Sequence, residues 1–287
     1  MSNETGGRLV AGEGWGECVT LSIAEGVAWV TLNRPEKRNA INPGIVREMT
    51  ALMDALEAMD EAEVIVITGA GNAFSAGQDL KEYFRETESW PPHEKERLFA
   101  MNAAWQWRRT MFYRKPTIAA VNGWCFGGAF QILIGCDLAI AAEDATFGLS
   151  EVNWGIIPAG IVTKSVSMVM SQRDAMYYIM TGETFDGKQA AEMKLVNKAV
   201  PAERLRDEAN ALAQVLRQKN QHVLRACKTA YHHVRQMGWE QSLEYLMSKS
   251  DATTFRDPGK GAAKGMSQFI DQKAYRPGLG AYDKTAE

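Results

Sequence analysis

The hydrophobic pattern of the chain opens with two β-prone runs. Residues 18–23 and 27–32 are rich in valine, leucine and threonine, and Glu25 and Gly26 separate them. Runs of this kind joined by a short glycine-containing turn predict a β-hairpin. Residues 1–16 are glycine-rich and polar, and we expect a flexible N-terminal tail there.

A helix follows the hairpin. Asn42 is a suitable N-cap, and Pro43 suits the first helical turn. The next apolar residues recur at helical spacing, which predicts one buried face: Ile45, Val46, Met49, Leu52, Met53, Leu56 and Met59.

Three short apolar runs predict strands that are covered on both faces: residues 64–68, 117–121 and 138–142. A polar, helix-rich segment lies at about 85–112. Residues 127–136 are apolar but begin with two glycines; their length favours a buried helix, with another strand as the alternative.

The strand pattern ends near Pro201. Four helical stretches follow, near 201–218, 221–237, 239–256 and 259–270. The chain therefore divides into an α/β core over 17–200 and a helical region over 201–287.

Composition narrows the classes of function. The 287 residues are 46% hydrophobic and 23% charged with a net charge of −3, so we expect neither nucleic acid nor an anionic membrane as partner. Four scattered cysteines are typical of reduced thiols and favour a cytoplasmic location. No basic segment followed by an apolar stretch opens the chain, and no run of eighteen apolar residues predicts a membrane span.

Several common catalytic motifs are absent. The four histidines form no HExxH or clustered Cys/His pattern, so we expect no metal site. The patterns of phosphate-binding loops, dinucleotide-binding turns and serine-hydrolase elbows are also missing.

Two glycine-bearing turns remain, at 73–80 (AFSAGQDL) and 122–130 (NGWCFGGAF), each after a predicted buried strand. Glycine permits close backbone approach, and unpaired amides at the start of a following helix would point outward. Two such amides aimed at one point form an oxyanion hole. The alternative is a pair of tight turns without a ligand.

Five segments carry a resemblance when taken in order: PEKRNA (35–40), SAGQDL (75–80), NGWCFGGAF (122–130), CDLAIA (136–141) and FGLSEVNWGIIP (147–158). Over residues 18–283 the chain resembles the crotonase, or enoyl-CoA hydratase/isomerase, superfamily. Within it, DLKEYFRE (79–86), WQW (105–107), YYIMTGE (177–183) and YRPGL (275–279) resemble the hydroxycinnamoyl-CoA hydratase-lyases.

The resemblance implies an α/β fold: a crotonase-type spiral of ββα units with a C-terminal helical trimerisation region. It further implies a homotrimer, or a dimer of trimers. The partner is then an acyl-CoA thioester substrate, with no cofactor beyond the CoA that the substrate carries and with no metal.

The resemblance also implies three catalytic elements. The backbone N–H groups of Gln78 and Gly128 would hold the thioester oxygen, and Glu151 would carry protons. Apolar neighbours should raise the pKa of Glu151; the alternative is a surface glutamate that caps the next helix. Tyr83 resembles the tyrosine that meets the substrate phenol in the lyases, with a core tyrosine as the alternative.

Further positions are implied to line the site. Trp154 would wall the aryl pocket, and Ala76, Leu80 and Ser150 would line the pantetheine and substrate channel. In PEKRNA, Lys37 would meet the CoA phosphates, with a solvated turn as the alternative.

Two positions depart from the family pattern. Gln131 stands where plain enoyl-CoA hydratases carry a second glutamate and the lyases a small hydroxyl residue. An amide can position water but cannot accept its proton; alternatively, Gln131 has no catalytic role. Met247 stands where the lyases have a second phenol-contacting tyrosine, contributed by a neighbouring subunit.

The implied activity is hydration and retro-aldol cleavage of 4-hydroxycinnamoyl-CoA thioesters, such as the feruloyl, caffeoyl and 4-coumaroyl esters. The products would be a 4-hydroxybenzaldehyde, such as vanillin, and acetyl-CoA. The alternatives are a hydratase or isomerase acting on another acyl-CoA, and a non-catalytic trimer that binds CoA thioesters.

Overall fold

The structure is a computed structural model that describes residues 13–275 and 280–286. Its strands are β1 (Glu13–Trp15), β2 (Val19–Ala24), β3 (Val27–Leu32), β4 (Val64–Gly69), β5 (Ala73–Ser75), β6 (Thr117–Val121), β7 (Trp124–Phe126), β8 (Leu138–Ala142), β9 (Thr146–Gly148), β10 (Thr184–Asp186) and β11 (Lys198–Val200). Its α-helices are α1 (Pro43–Ala58), α2 (Pro92–Ala103), α3 (Arg109–Met111), α4 (Ala129–Gly135), α5 (Val162–Val169), α6 (Gln172–Thr181), α7 (Gly187–Glu192), α8 (Leu205–Arg217), α9 (Gln221–Val234), α10 (Trp239–Arg256) and α11 (Gly261–Met266).

A seven-stranded sheet in the order β1-β2-β3-β4-β6-β8-β11 forms the larger layer. The predicted hairpin is its β2–β3 pair, and β3, β4, β6, β8 and β11 run parallel. Every residue of β6 is buried, as its continuous apolar run predicts. Helix α8 packs across β3, β4, β6 and β8.

The predicted helix at 42–59 is confirmed as α1. The Asn42 side chain accepts a hydrogen bond from the Ile45 N–H at 2.9 Å, which satisfies one of the free amides of the first turn. The apolar positions at helical spacing form the buried face, except that Met59 follows the last helical residue. The apolar segment after the paired glycines is helix α4, so the strand alternative for it is wrong.

A second sheet, in the order β10-β9-β7-β5, is built from strands of three residues. Three successive pairs, β4–β5, β6–β7 and β8–β9, place their first strand in the larger sheet and their second in the smaller one, and helical structure follows each pair. This repetition confirms the predicted spiral of ββα units. In the small sheet β5, β7 and β9 run parallel, so their carboxyl ends share one edge.

Beyond Pro201 the described chain is helical, as predicted, with α8, α9, α10 and α11 followed by a π-helical turn at Ser267–Asp271. One prediction for the N-terminal tail is wrong. Residues 13–15 form the edge strand β1, which pairs antiparallel with β2, while residues 1–12 lie outside the described residues. Within the described ranges, no helix is both long and apolar enough to cross a membrane.

Candidate active site

Three chain segments meet at the carboxyl edge of the small sheet. They follow β5, β7 and β9, whose parallel register pairs Ala73 with Trp124 and Cys125 with Phe147. Both glycine turns predicted from the sequence therefore lie at one edge, together with the segment that carries Glu151.

The turn after β5 is held from both sides by Ile41. The Ile41 N–H donates to the Gly77 carbonyl at 2.8 Å, and the Asp79 N–H donates to the Ile41 carbonyl at 2.9 Å. The N–H of Gln78, which lies between these two bonds, donates no hydrogen bond in the described part of the chain. An amide left free between two fixed neighbours is preorganised to receive an acceptor from outside.

The turn after β7 approaches this amide closely. Gly77 has φ +85°, and a Cβ there would lie 2.7 Å from the Phe126 carbonyl oxygen and 3.1 Å from the Gly128 nitrogen. Gly128 precedes helix α4, and its N–H also donates to no backbone carbonyl among residues 13–275 and 280–286. The structure thus brings the two predicted amides together, and only glycine at position 77 permits the contact.

The Gln78 side chain lies across this pair. A Cβ on Gly128 would overlap the Gln78 amide oxygen, so a side chain at position 128 would require the Gln78 side chain to move. The Gln78 Nε2 donates to Gln106 Oε1 at 3.4 Å. Gln106 is fully buried and lies in a π-helical turn, Ala104–Arg108, that continues α2.

Glu151 faces the same turn from a 3₁₀ helix, Ser150–Trp154, that follows β9. Its Oε1 lies 3.1 Å from the position that a Cβ on Gly127 would occupy. Its Oε2 is buried and has no hydrogen-bond partner in the described structure. Burial raises the pKa of the Glu151 carboxyl above its usual value. Glu151 is thus half-buried beside the second glycine turn, and its role as the proton carrier stays a prediction.

Tyr83 lies in a π-helical turn, Leu80–Arg85, and is only 4% exposed. The Asp79 carboxylate caps the start of this turn by accepting from the N–H groups of Lys81 and Glu82 at 3.0 and 2.9 Å. Burial raises the pKa of Tyr83 to about 12, and the nearby Asn102 side chain partly opposes that shift. Tyr83 therefore keeps its proton at neutral pH.

The other predicted positions surround this centre at different depths. Gln131 is buried in α4, and its Nε2 lies 3.2 Å from the position that a Cβ on Gly160 would occupy. Ser150 and Ala76 are partly exposed, whereas Leu80 and Trp154 are 56% and 68% exposed. A single chain therefore does not enclose Trp154, whose role as a pocket wall stays a prediction.

Lys37 lies on the surface in a 3₁₀ turn, Pro35–Lys37. The adjacent Arg38 accepts from the Ala76 N–H at 2.9 Å through its carbonyl, and its guanidinium stacks over the Trp124 ring at 4.1 Å. The PEKRNA segment thus borders the first glycine turn, while the contact of Lys37 with CoA phosphates stays a prediction.

The model of the enoyl-CoA hydratase/isomerase family matches residues 22–276. The chain belongs to this family. Within the family, it is 49% identical to a hydroxycinnamoyl-CoA hydratase-lyase from Pseudomonas fluorescens, over 95% of this chain and 99% of that protein. It is also 35% identical to a mevalonyl-coenzyme A hydratase from Aspergillus fumigatus, over 74% and 76% of the two chains.

Solved structures of family members share the fold. An enoyl-CoA hydratase from Mycobacterium smegmatis superimposes with a TM-score of 0.80 at 25% identity, covering 90% of this chain and 97% of that one. One from Bacillus anthracis gives a TM-score of 0.79 at 25% identity, covering 89% and 96%.

A supporting ion network beside the first glycine turn was not predicted from the sequence. Arg34 contacts Asp79 at 3.1 Å and Glu82 at 2.6 Å, and Asn42 donates to Glu82 at 2.7 Å. Burial alone would raise the pKa of Asp79. The hydrogen bonds from the Glu82 amide and from Arg34 outweigh that effect and hold the pKa of Asp79 below its usual range. Arg34 and Asp79 lie 45 positions apart, so no local pattern could have paired them.

Within residues 13–275 and 280–286, no three histidine, cysteine or acidic side chains come together as a metal site.

Proposed function

We propose that this family member is a hydroxycinnamoyl-CoA hydratase-lyase. It adds water to a 4-hydroxycinnamoyl-CoA thioester and cleaves the product to a 4-hydroxybenzaldehyde and acetyl-CoA. The observation that carries the proposal is the juxtaposition of two free amides, at Gln78 and Gly128, with the carboxylate of Glu151, whose Oε2 has no hydrogen-bond partner in the described structure. The similarity to the Pseudomonas fluorescens enzyme supports the choice of substrate.

The two amides bind the thioester oxygen. Negative charge develops on that oxygen when the acyl group takes on enolate character, both during addition of water and when the C–C bond breaks. Donors that are already fixed stabilise this charge without reorganising. The Ile41 bonds on either side of Gln78 provide that rigidity.

Glu151 transfers the protons. Because burial raises its pKa, Glu151 keeps its proton to a higher pH than an exposed glutamate does, which favours its donation to the α-carbon. Addition of water at the β-carbon releases one proton, which balances the proton given to the α-carbon. Glu151, then a carboxylate, accepts the β-hydroxyl proton as the bond between the α- and β-carbons breaks, and returns it to the α-carbon of the departing acetyl-CoA enolate. Overall, the oxygen of the water becomes the aldehyde oxygen, and two hydrogens are added at the carbon that becomes the acetyl methyl group.

Tyr83 binds the phenol of the substrate. A para-hydroxyl group pushes electrons toward the side chain, so a quinone-methide-like intermediate can accept water at the β-carbon. A buried tyrosine with a pKa of about 12 remains a hydrogen-bond donor to the developing phenolate. Gln131 cannot replace the second carboxylate of a plain hydratase, which disfavours simple hydration by a carboxylate pair.

The proposal includes a homo-oligomer, a trimer or a dimer of trimers. Large apolar side chains are exposed on α10 and on the segment after Glu151, including Trp239 (91%), Phe255 (89%) and Ile157 (76%). Apolar surfaces of this kind mark contacts with another chain. Light scattering during gel filtration should give three or six times the mass of one chain; a monomer would contradict the proposed oligomer.

We place the enzyme in the cytoplasm, since its four cysteines are free.

Separate incubations with feruloyl-CoA and crotonyl-CoA, followed by product analysis, test the activity. We expect vanillin and acetyl-CoA from feruloyl-CoA. Hydrated crotonyl-CoA with no aldehyde from feruloyl-CoA would instead indicate a plain hydratase, and binding without turnover a non-catalytic protein. Glu151→Gln should abolish aldehyde formation while thioester binding persists; full activity of that variant would remove Glu151 from the mechanism.

A further inference from the structure

We propose that the cavity between helix α9 and the α/β core is a second ligand site, which binds an organic carboxylate with an apolar body. The guanidinium groups of Arg114 and Arg225 bind the carboxylate, and the apolar walls of the cavity surround the body. This site is separate from the candidate active site, and the inference does not rest on the proposed function.

The size and the walls of the cavity suit a small organic molecule. Its volume is about 390 Å³, within the usual range for small-molecule sites. The apolar walls come from six different elements, α3, α4, β8, α5, α8 and α9, through Met111, Ile134, Leu138, Val169, Leu216 and Leu224. Walls of this kind favour a ligand with an aromatic or aliphatic body.

Five lysine and arginine side chains line the same cavity, and three of them already have partners. Lys115 and Arg235 donate to backbone carbonyls. Lys228 pairs with Asp137 at 2.9 Å, and Asp137 is the one acidic residue among the described residues that line the cavity. The lining therefore holds more positive charge than its own carboxylate can neutralise.

Arg114 and Arg225 are the two cations that remain. Within residues 13–275 and 280–286, neither guanidinium group donates a hydrogen bond or forms an ion pair. Burial and the nearby Arg114 lower the pKa of Arg225. The carboxylate of Glu57 opposes this shift, but it is bonded to Arg109 at 2.6 Å. A ligand carboxylate would bond to both guanidinium groups and relieve their repulsion.

The positive charge continues along α9. Arg225 also borders a smaller cavity of about 310 Å³ between α9 and α10, together with Lys249 and Arg256. None of the described residues that line this smaller cavity is acidic. The whole chain has a net charge of −3, so this concentration of cations is local and attracts anions to α9.

The proposed site adjoins the end of α4 that lies opposite to the amide pair. Gly128 precedes α4, whereas Ile134 and Cys136, at the other end of the helix, line the cavity. The seven residues of α4 span about 10 Å. A carboxylate bound in the cavity therefore leaves the place of the thioester oxygen free, and we expect no competition with a CoA thioester.

Calorimetric titration of the full-length protein with 3-phenylpropanoate and with octanoate tests the site and distinguishes an aromatic body from an aliphatic one. We expect at least one of these acids to bind, and its uncharged amide to bind about tenfold more weakly or worse. Saturation with acetyl-CoA should leave binding of the acid unchanged.

Arg114→Gln and Arg225→Gln should each weaken binding of the acid about 10- to 100-fold, the effect of losing one charge-assisted hydrogen bond. Arg206→Gln is the matched control and should have no effect. Arg206 lies in α8, stacks over the Trp29 ring at 4.3 Å and does not line the cavity.

Four results would overturn the proposal: no binding of either acid, equal binding of acid and amide, displacement of the acid by acetyl-CoA, or unchanged binding in both cavity variants. Light scattering on Arg114→Gln and Arg225→Gln tests the other occupant, a second copy of this chain. A smaller assembly in either variant would mean that the arginine pair contacts that copy, and the carboxylate site would be wrong. Unchanged mass with weakened binding of the acid supports the site.

Discussion

The two sheets of this enzyme use parallel strands for different purposes. In the larger sheet, strands of five or six residues such as β4 and β6 are almost entirely buried and carry the hydrophobic core. In the smaller sheet, β5, β7 and β9 are three residues long, and each leads directly into a segment of the candidate active site.

The difference shows how stability and positioning are divided between the sheets. Long apolar strands stabilise the fold through the area that they bury. The short strands are also largely buried but contribute only three residues each. The turn after β5 is held in addition by specific polar contacts, those of Arg34 with Asp79 and of Ile41 with Gly77 and Asp79. Substitutions in the first sheet should therefore change stability, whereas substitutions at the edge of the second should change catalysis.

The largest effect should come from Gly128→Val. A valine there would take the space beside the two amides that the end of the Gln78 side chain now occupies, and so would hinder the thioester oxygen from reaching them. We therefore expect kcat/KM for feruloyl-CoA to fall by about 10²–10³-fold. Gly238→Ala is the matched control, because the nearest side-chain atom would lie 4.0 Å from the new Cβ. Steady-state kinetics on both variants check this, and near-normal rates in Gly128→Val would contradict the amide pair.

Leu52→Ala tests the hydrophobic core, which α1 shares with the strands of the larger sheet. Leu52 is fully buried among core side chains, so its truncation should lower the free energy of unfolding by about 2–5 kcal/mol. The kcat of the folded variant should stay close to that of wild type. Urea unfolding and kinetics measured side by side test this separation, which a parallel loss of kcat would disprove.

Asp79→Asn should combine a smaller stability loss with a loss of activity. The change removes charge-assisted bonds from Arg34 and from the Lys81 and Glu82 amides, at a cost of about 2 kcal/mol. Because the folded pKa of Asp79 is lowered, its contribution is complete above its unfolded pKa of about 4 and is lost as pH falls through the lower folded value.

Urea unfolding of the wild type and of Asp79→Asn as a function of pH measures this contribution. The difference in stability between them should shrink as the pH decreases below about 4. A difference that does not depend on pH would mean that the carboxylate charge of Asp79 is unimportant.

The pH dependence of catalysis should depend on Glu151. Since burial raises its pKa, the proton-donating form persists above the usual range for glutamate, and kcat/KM should fall as pH rises through that raised value. A pH–rate profile with feruloyl-CoA tests the sign. A profile that rises over the same range would mean that the carboxylate form starts the reaction.

The smallest effect should come from Gln78→Ala. The proposed contribution of this residue is its backbone N–H, which alanine retains, so we expect less than about a tenfold loss in kcat/KM, far below the cost of losing a donor. Kinetics beside Gly128→Val provide the comparison. A loss as large as that of Gly128→Val would show that the side chain, which donates to Gln106, also acts in catalysis.

The pattern of apolar and polar residues was sufficient to predict the longer helices and strands. The hairpin, α1, the three buried strands and the C-terminal helices follow from runs of five residues or more with a regular apolar period. The short strands β5, β7, β9 and β10 were not predicted, because three residues carry no measurable period. The amides of Gln78 and Gly128 were nevertheless identified, because glycine turns and motif resemblance mark them.

The sequence by itself thus determined the fold class, the family and the identity of the residues that face one another in the site. Only the tertiary structure decided the approach of Gly77 to Gly128, the unpartnered oxygen of Glu151 and the burial of Tyr83. The physical reason is that the burial of an element and the type of a turn depend on residues that are neighbours in the sequence. The contact of groups far apart in the chain depends instead on strand register and packing.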